Sequence, residues 1–78
     1  MEDKLKKLLS VLLGIDQEKI NNKTSNKTVD GWDSLKQMNI IVAIEEEFDI
    51  QFDEEESILS DSYITLLQLI QKKIKNKD

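Results

Sequence analysis

A serine beside an aspartate is the residue best placed to do chemistry in this chain. Ser34 follows Asp33 and opens a run to Phe48 that contains neither Pro nor Gly. The chain has no Cys and no His, which excludes disulfides, zinc–thiolate sites and any Cys–His or Ser–His nucleophilic pair. Lys36 is the nearest base, but residues two apart on a helix do not face each other, so a Ser–Lys hydrolase finds no support. Ser34 is therefore read as a residue that receives a group rather than one that attacks. Asp33 and Ser34 are both good N-cap types, which predicts Ser34 at the start of a helix of about four turns. The first turn of a helix leaves N–H groups unpaired and carries partial positive charge, so a phosphate joined to that hydroxyl would be held well.

The helix that positions Ser34 carries more apolar surface than one packed face needs. At about 100° per residue, Ile40, Ile41, Ile44 and Phe48 share one side, and Leu35, Met38 and Val42 form a second cluster. One reading buries both in a small bundle. The other makes the first stripe core and leaves the second, rimmed by Glu45 and Glu46, as an exposed docking face. A chain of 78 residues has little material to bury both, which favours the second.

Asp33-Ser34-Leu35, followed by an apolar helix that ends Glu45-Glu46-Glu47-Phe48-Asp49-Ile50, resembles the acyl carrier proteins. The resemblance runs over nearly the whole chain in length, acidity, element order and central motif. It implies a four-helix bundle with three main helices, a short third helix and a long first loop. It also implies that Ser34 is the attachment point of 4'-phosphopantetheine, with Asp33 and Leu35 completing the motif. A phosphopantetheinyl transferase would move the arm from coenzyme A using magnesium, with Asp33 assisting in positioning; the plainer role for Asp33 is a cap. The arm's thiol would then hold acyl groups as thioesters, shielded between helices or presented to enzymes. Enlarging a space beside Ile40, Ile44, Leu66 and Ile70 is the physical route to shielding.

Charge is unevenly distributed. The net charge of -5 combines a middle segment, residues 29–62, with eleven acids against Lys36 alone, and two flanks with more Lys than acids. Such a field steers basic partners and repels nucleic acid. The acidic run Asp53-Glu54-Glu55-Glu56 lacks the ligand spacing and glycine of an EF-hand loop, so no designed metal site is expected. No run is long and apolar enough for a membrane span, and the first residues lack the features of a secretory signal; the expectation is one cytoplasmic domain over residues 1–78, acting as a monomer.

The remaining elements follow from periodicity. Glu2 to Leu13 is predicted as an amphipathic helix with Leu5, Leu8, Leu9 and Leu12 inward and Gly14 as its stop. Ile15 to Asp33 is polar and long, either a disordered linker or, as preferred here, a crossing loop pinned by Ile15, Ile20, Val29 and Trp32, with a short helical turn near Asp16 to Ile20. Trp32 is either a lid on the core or, half-exposed, a contact for partners. Asp49 to Phe52 reads as a short extended connection with Ile50 and Phe52 inward. Asp53 to Leu59 should form a short helix tied to the core by Ile58, Leu59 or both. Ser60-Asp61-Ser62 then offers caps for a last helix, Tyr63 to about Lys75, with fraying over residues 76–78. The predicted core joins Leu5, Leu8, Leu9, Leu12, Ile40, Ile44, Phe48, Leu66, Leu67 and Ile70.

The resemblance maps the partner surface onto Trp32, Leu35, Lys36, Met38, Asn39, Val42, Glu45 and Glu46. Acids are usual in the family at the places of Lys36 and Asn39, so basic enzyme patches that expect carboxylates there would lose attraction. That points from a general fatty-acid role toward a specialised fatty-acid, polyketide or related carrier. Gly31-Trp32-Asp33, without a Gly-Gly, also differs from the peptidyl carriers. The rival classes are a non-covalent acidic adaptor docking through the Leu35, Met38, Val42 stripe, and an acidic helical regulator or cation buffer.

Overall fold

A computed structural model describes residues 1–76, which form four α-helices and no strand. These are α1 (Glu2–Leu13), α2 (Ser34–Phe48), α3 (Glu54–Leu59) and α4 (Tyr63–Lys75), with one 3₁₀ turn at Gln17–Lys19. The all-α bundle with a short third helix and a long first loop is thus the observed architecture. Of the expected fraying end, Lys77 and Asp78 lie outside the described residues, while the Asn76 N–H donates to the Lys72 carbonyl at 3.0 Å.

Each helix end has a local cause. Gly14 ends α1 in the left-handed conformation at φ 69°, and its N–H donates to the Ser10 carbonyl. Asp49 plays the same part after α2 at φ 54°, returning its N–H to Glu45; an aspartate tolerates this region better than most residues. Asp53 and Glu56 form a reciprocal capping box at the start of α3. The Ser62 hydroxyl accepts from the Thr65 N–H at the start of α4.

The core joins Leu5 and Leu9 of α1, Ile40, Ile41 and Ile44 of α2, and Tyr63, Leu66, Leu67 and Ile70 of α4. Ile20 and Trp32 from the first loop, and Ile50 and Phe52 from the α2–α3 connection, complete it. Leu8, Leu12 and Phe48, predicted as core, are only partly buried and pack at its margin. Phe48 and Lys4 are in cation–π contact at 5.4 Å, and Lys4 pairs with Glu47 at 3.3 Å, so that edge of the bundle meets water. Burial, followed by a hydrogen bond to the Glu2 carboxylate, pushes the Tyr63 hydroxyl up to about 12.

The first loop crosses the molecule and is pinned. Ile20 and Trp32 are buried, and Ile15 and Val29 pack against the core. Its polar residues contribute a second fastening: the Thr24 carbonyl accepts from the Tyr63 N–H at 2.9 Å, and the Asn26 N–H donates to the Asp61 carbonyl at 2.9 Å. Ser25 and Ser62 form an isolated antiparallel bridge between these two bonds. The Thr24 hydroxyl, itself buried, accepts from the Asn21 N–H and donates to the Lys19 carbonyl.

Helix α3 departs from expectation. Neither Ile58 nor Leu59 ties it to the core; they are 66% and 62% exposed, and no residue of α3 is buried. Six residues cannot present a full apolar stripe, and polar contacts hold this helix instead. Gln37 Nε2 donates to the Ser57 and Ser60 carbonyls at 2.9 and 2.7 Å, and Lys73 pairs with Glu56 at 2.7 Å. Ser60, just beyond the helix, is buried, and its hydroxyl donates to the Glu56 carbonyl.

Candidate functional site

Ser34 is exposed and is the first residue of α2. Asp33 immediately before it is the N-cap: its backbone is extended and its Oδ1 accepts the Lys36 N–H at 2.8 Å. The capping role left open for Asp33 is therefore filled, and one carboxylate oxygen is committed to it. A 15-residue helix ending at an exposed hydroxyl supplies the positive tip that favours an ester phosphate there.

The two faces of α2 separate as the preferred reading expected. Ile40, Ile41 and Ile44 are buried, whereas Leu35, Met38 and Val42 are 71%, 66% and 50% exposed. Lys36 is half-buried, and Asn39 and Glu46 are exposed. Glu45 differs from Glu46: it is half-buried, and its Oε2 accepts the Phe52 N–H at 2.9 Å, fixing the connection after α2. Trp32 is 4% exposed rather than half-exposed. Its indole N–H donates to Gln37 Oε1 at 2.6 Å, which turns the ring inward as a lid on the core.

Beside Ser34 lies a cleft of about 800 Å³. One wall is α2, through Ser34, Gln37, Met38, Ile41 and Val42, which recur at helical spacing and so share a face. Ser57 and Ile58 of α3 form the facing wall, Trp32 adds its ring, and Asn26 and Asp61 flank the space with polar groups. The exposed Ile58 that fails to anchor α3 thus lines an opening between two helices. This cleft is separate from the core beside Ile40, Ile44, Leu66 and Ile70: those four side chains have no exposure, and none lines the cleft. Gln37 went unnoticed in the sequence, although its place one turn after Ser34 puts both on the same face.

A phosphopantetheine arm fits this arrangement. The hydroxyl is reachable, sits at the positive end of a helix, and borders a cleft with apolar walls and polar flanks. Among the described residues no three His, Cys, Asp or Glu side chains gather as a metal group, and Asp53 and Glu56 are committed to capping.

Comparison with known proteins agrees with this geometry. The family profile described as "Phosphopantetheine attachment site" matches residues 3–72. The acyl carrier proteins of Buchnera aphidicola subsp. Acyrthosiphon pisum strains Tuc7 and APS are each 40% identical over 73 residues, covering 94% of this chain and 91% of theirs. That of strain 5A is 38% identical over the same span. The solution NMR structure of the holo acyl carrier protein from Geobacter metallireducens superposes with a TM-score of 0.85 at 30% identity, covering 97% of this chain and 87% of that one.

Proposed function

We propose, since the chain belongs to the acyl carrier protein family, that Ser34 is the hydroxyl through which it bears its arm. The protein is an acyl carrier with covalently attached 4'-phosphopantetheine, whose terminal thiol supplies the thioester chemistry that a chain without Cys lacks. The observation that carries the assignment to Ser34 is its position: exposed, first in α2, and on the same face as the cleft. Asp33 holds the helix tip rigid by its cap, and its other carboxylate oxygen is the group we assign to positioning the transferase's magnesium. Leu35, exposed beside Ser34, is a contact for that enzyme. Met38, Ile41, Val42 and Ile58 form apolar walls that exclude water from an acyl chain lodged between α2 and α3.

Partner enzymes that load, modify or remove acyl groups are read as docking on Leu35, Met38 and Val42, with Lys36, Asn39 and Glu46 setting the charge and Glu45 adding its free edge. Trp32 acts in this surface through the cleft it lines rather than through an open face. Lys36 and Asn39 favour a specialised pathway over general fatty-acid synthesis, because a cation there repels a basic patch. The chain is read as a carrier and not a catalyst: it has no His or Cys, and Ser34 has no base beside it on the helix. We further place it in the cytoplasm as a monomer whose residues 1–78 work as one unit; among the described residues no helix is long and apolar enough to cross a membrane.

Intact-mass measurement tests the assignment. Incubation with coenzyme A, magnesium and a broad-specificity phosphopantetheinyl transferase should add about 340 Da, the mass of one phosphopantetheinyl group. Ser34→Ala should abolish the gain. A wild-type chain that stays unmodified, while a control carrier is loaded in the same tube, would move the reading to a non-covalent adaptor docking through the same helix face.

A further inference from the structure

Helix α3 presents a problem that Gln37 resolves. A six-residue helix with no buried residue should stand loosely, yet one wall of the cleft depends on it. Gln37 reaches across from α2 with both amide hydrogens and its oxygen engaged. Oε1 accepts the Trp32 indole N–H at 2.6 Å, and Nε2 donates to the Ser57 and Ser60 carbonyls at 2.9 and 2.7 Å. An amide has two such hydrogens on nitrogen, so its donors are fully used, and turning it over would oppose like groups at all three contacts. The carbonyls it takes lie in and just past the last turn of α3, where a helix leaves acceptors unpaired. Trp32 in turn is buried in the core, so the relay runs from core to indole to amide to α3.

We propose that Gln37 is a latch that fixes the distance between α2 and α3 and thereby keeps the cleft formed for the acyl chain this carrier shelters. This rests on the reading that the arm on Ser34 delivers its cargo to the adjoining cleft. Gln37 is a positioning residue here: it stands one turn from Ser34, offers no unused donor to cargo, and acts through the placement of Ile58 and Ser57 on the far wall. With the latch closed, the apolar space bounded by Met38, Ile41 and Ile58 keeps its far wall in place. With it open, α3 moves outward, and the acyl chain loses cover on that side.

The test uses Gln37→Glu and Gln37→Met. The first keeps an acceptor for the Trp32 N–H but sets a carboxylate against two carbonyls. The second keeps length and removes all three bonds. In the apo proteins, amide hydrogen exchange should quicken about tenfold in α3 of both variants, with α1 and α4 unchanged, as expected when one or two net hydrogen bonds are lost locally. Each protein is then loaded with butyryl, octanoyl or dodecanoyl arms, and release of the acyl group by hydroxylamine is timed. Wild type should release octanoyl and dodecanoyl more slowly than butyryl, and both variants should lose most of that difference. Unchanged α3 exchange, or equal acceleration in all helices, would overturn the latch. Local loosening with wild-type release rates would overturn its role in sheltering the chain. A chain that accepts no arm at all would count against Ser34 instead, and the apo exchange would still decide the latch.

Discussion

Asp33 and Ser34 illustrate how adjacent residues of similar type acquire separate duties. Both are good caps, but the extended backbone at Asp33 points its carboxylate to the Lys36 N–H, leaving Ser34 exposed as the first helical residue. Asp33→Ala should therefore cost about 1 kcal/mol of stability. Asp33→Asn should cost little, because an amide oxygen caps as well. Urea unfolding of the two variants checks this, and arm-loading rates measured beside it separate cap from catalyst-facing group. Loading that slows equally in both would assign the loss to the missing charge; loading that slows only in Asp33→Ala would assign it to the cap. Glu45 and Glu46 divide in the same manner. They read alike in sequence, but only the first meets a backbone N–H, that of Phe52.

Among the elements, α1 and α4 follow ordinary amphipathic logic, α2 adds an exposed apolar stripe to its buried one, and α3 has no buried face. Apolar anchors hold the long helices; polar contacts to Gln37 and Lys73 hold the short one. Leu9→Ala should accordingly cost about 2–5 kcal/mol, the range for a buried leucine. Ile58→Ser should stay within about 0.5 kcal/mol of wild type, as for a surface change. Thermal and urea unfolding measure both; a large loss at Ile58 would mean that α3 is anchored by that side chain after all. The helix pattern was legible because Leu5, Leu9, Ile40, Ile44, Leu66 and Ile70 repeat at the helical period. The anchoring of α3 was not, since two apolar residues in a six-residue helix fit an inward or an outward face equally.

For the whole molecule, the radius of gyration of 11.5 Å matches the size law for a compact chain of this length, about 11.5 Å. The first loop is therefore packed and not a free linker, in agreement with its bonds to the start of α4. Charge acts at the same scale. The hydrogen bond from Lys73, then the capping bond at Asp53, lower the Glu56 carboxyl below its ordinary 4.5. A carboxyl held lower in the folded chain than in the unfolded one stabilises above the unfolded value and loses that contribution as pH falls through the folded value. Lys73→Gln should thus be less stable than wild type at neutral pH, and the gap should close as the pH drops below about 4.5. Unfolding midpoints measured across that range check it. A gap independent of pH would instead trace the loss to the Lys73–Phe52 ring contact at 5.5 Å.

Sequence alone determined the helices, the two apolar stripes of α2 and the serine at its tip, because periodicity and capping are local and need only neighbouring residues. Tertiary structure decided which stripe of α2 stays exposed, where the cleft lies, what holds α3, and that Trp32 faces inward. These depend on residues meeting across the fold: Gln37 with Ser57 and Ser60, Thr24 with Tyr63, Glu56 with Lys73, and Trp32 with the buried core. Hydrogen bonds between residues so far apart leave no period in a sequence, and only the packed chain brings their donors and acceptors together.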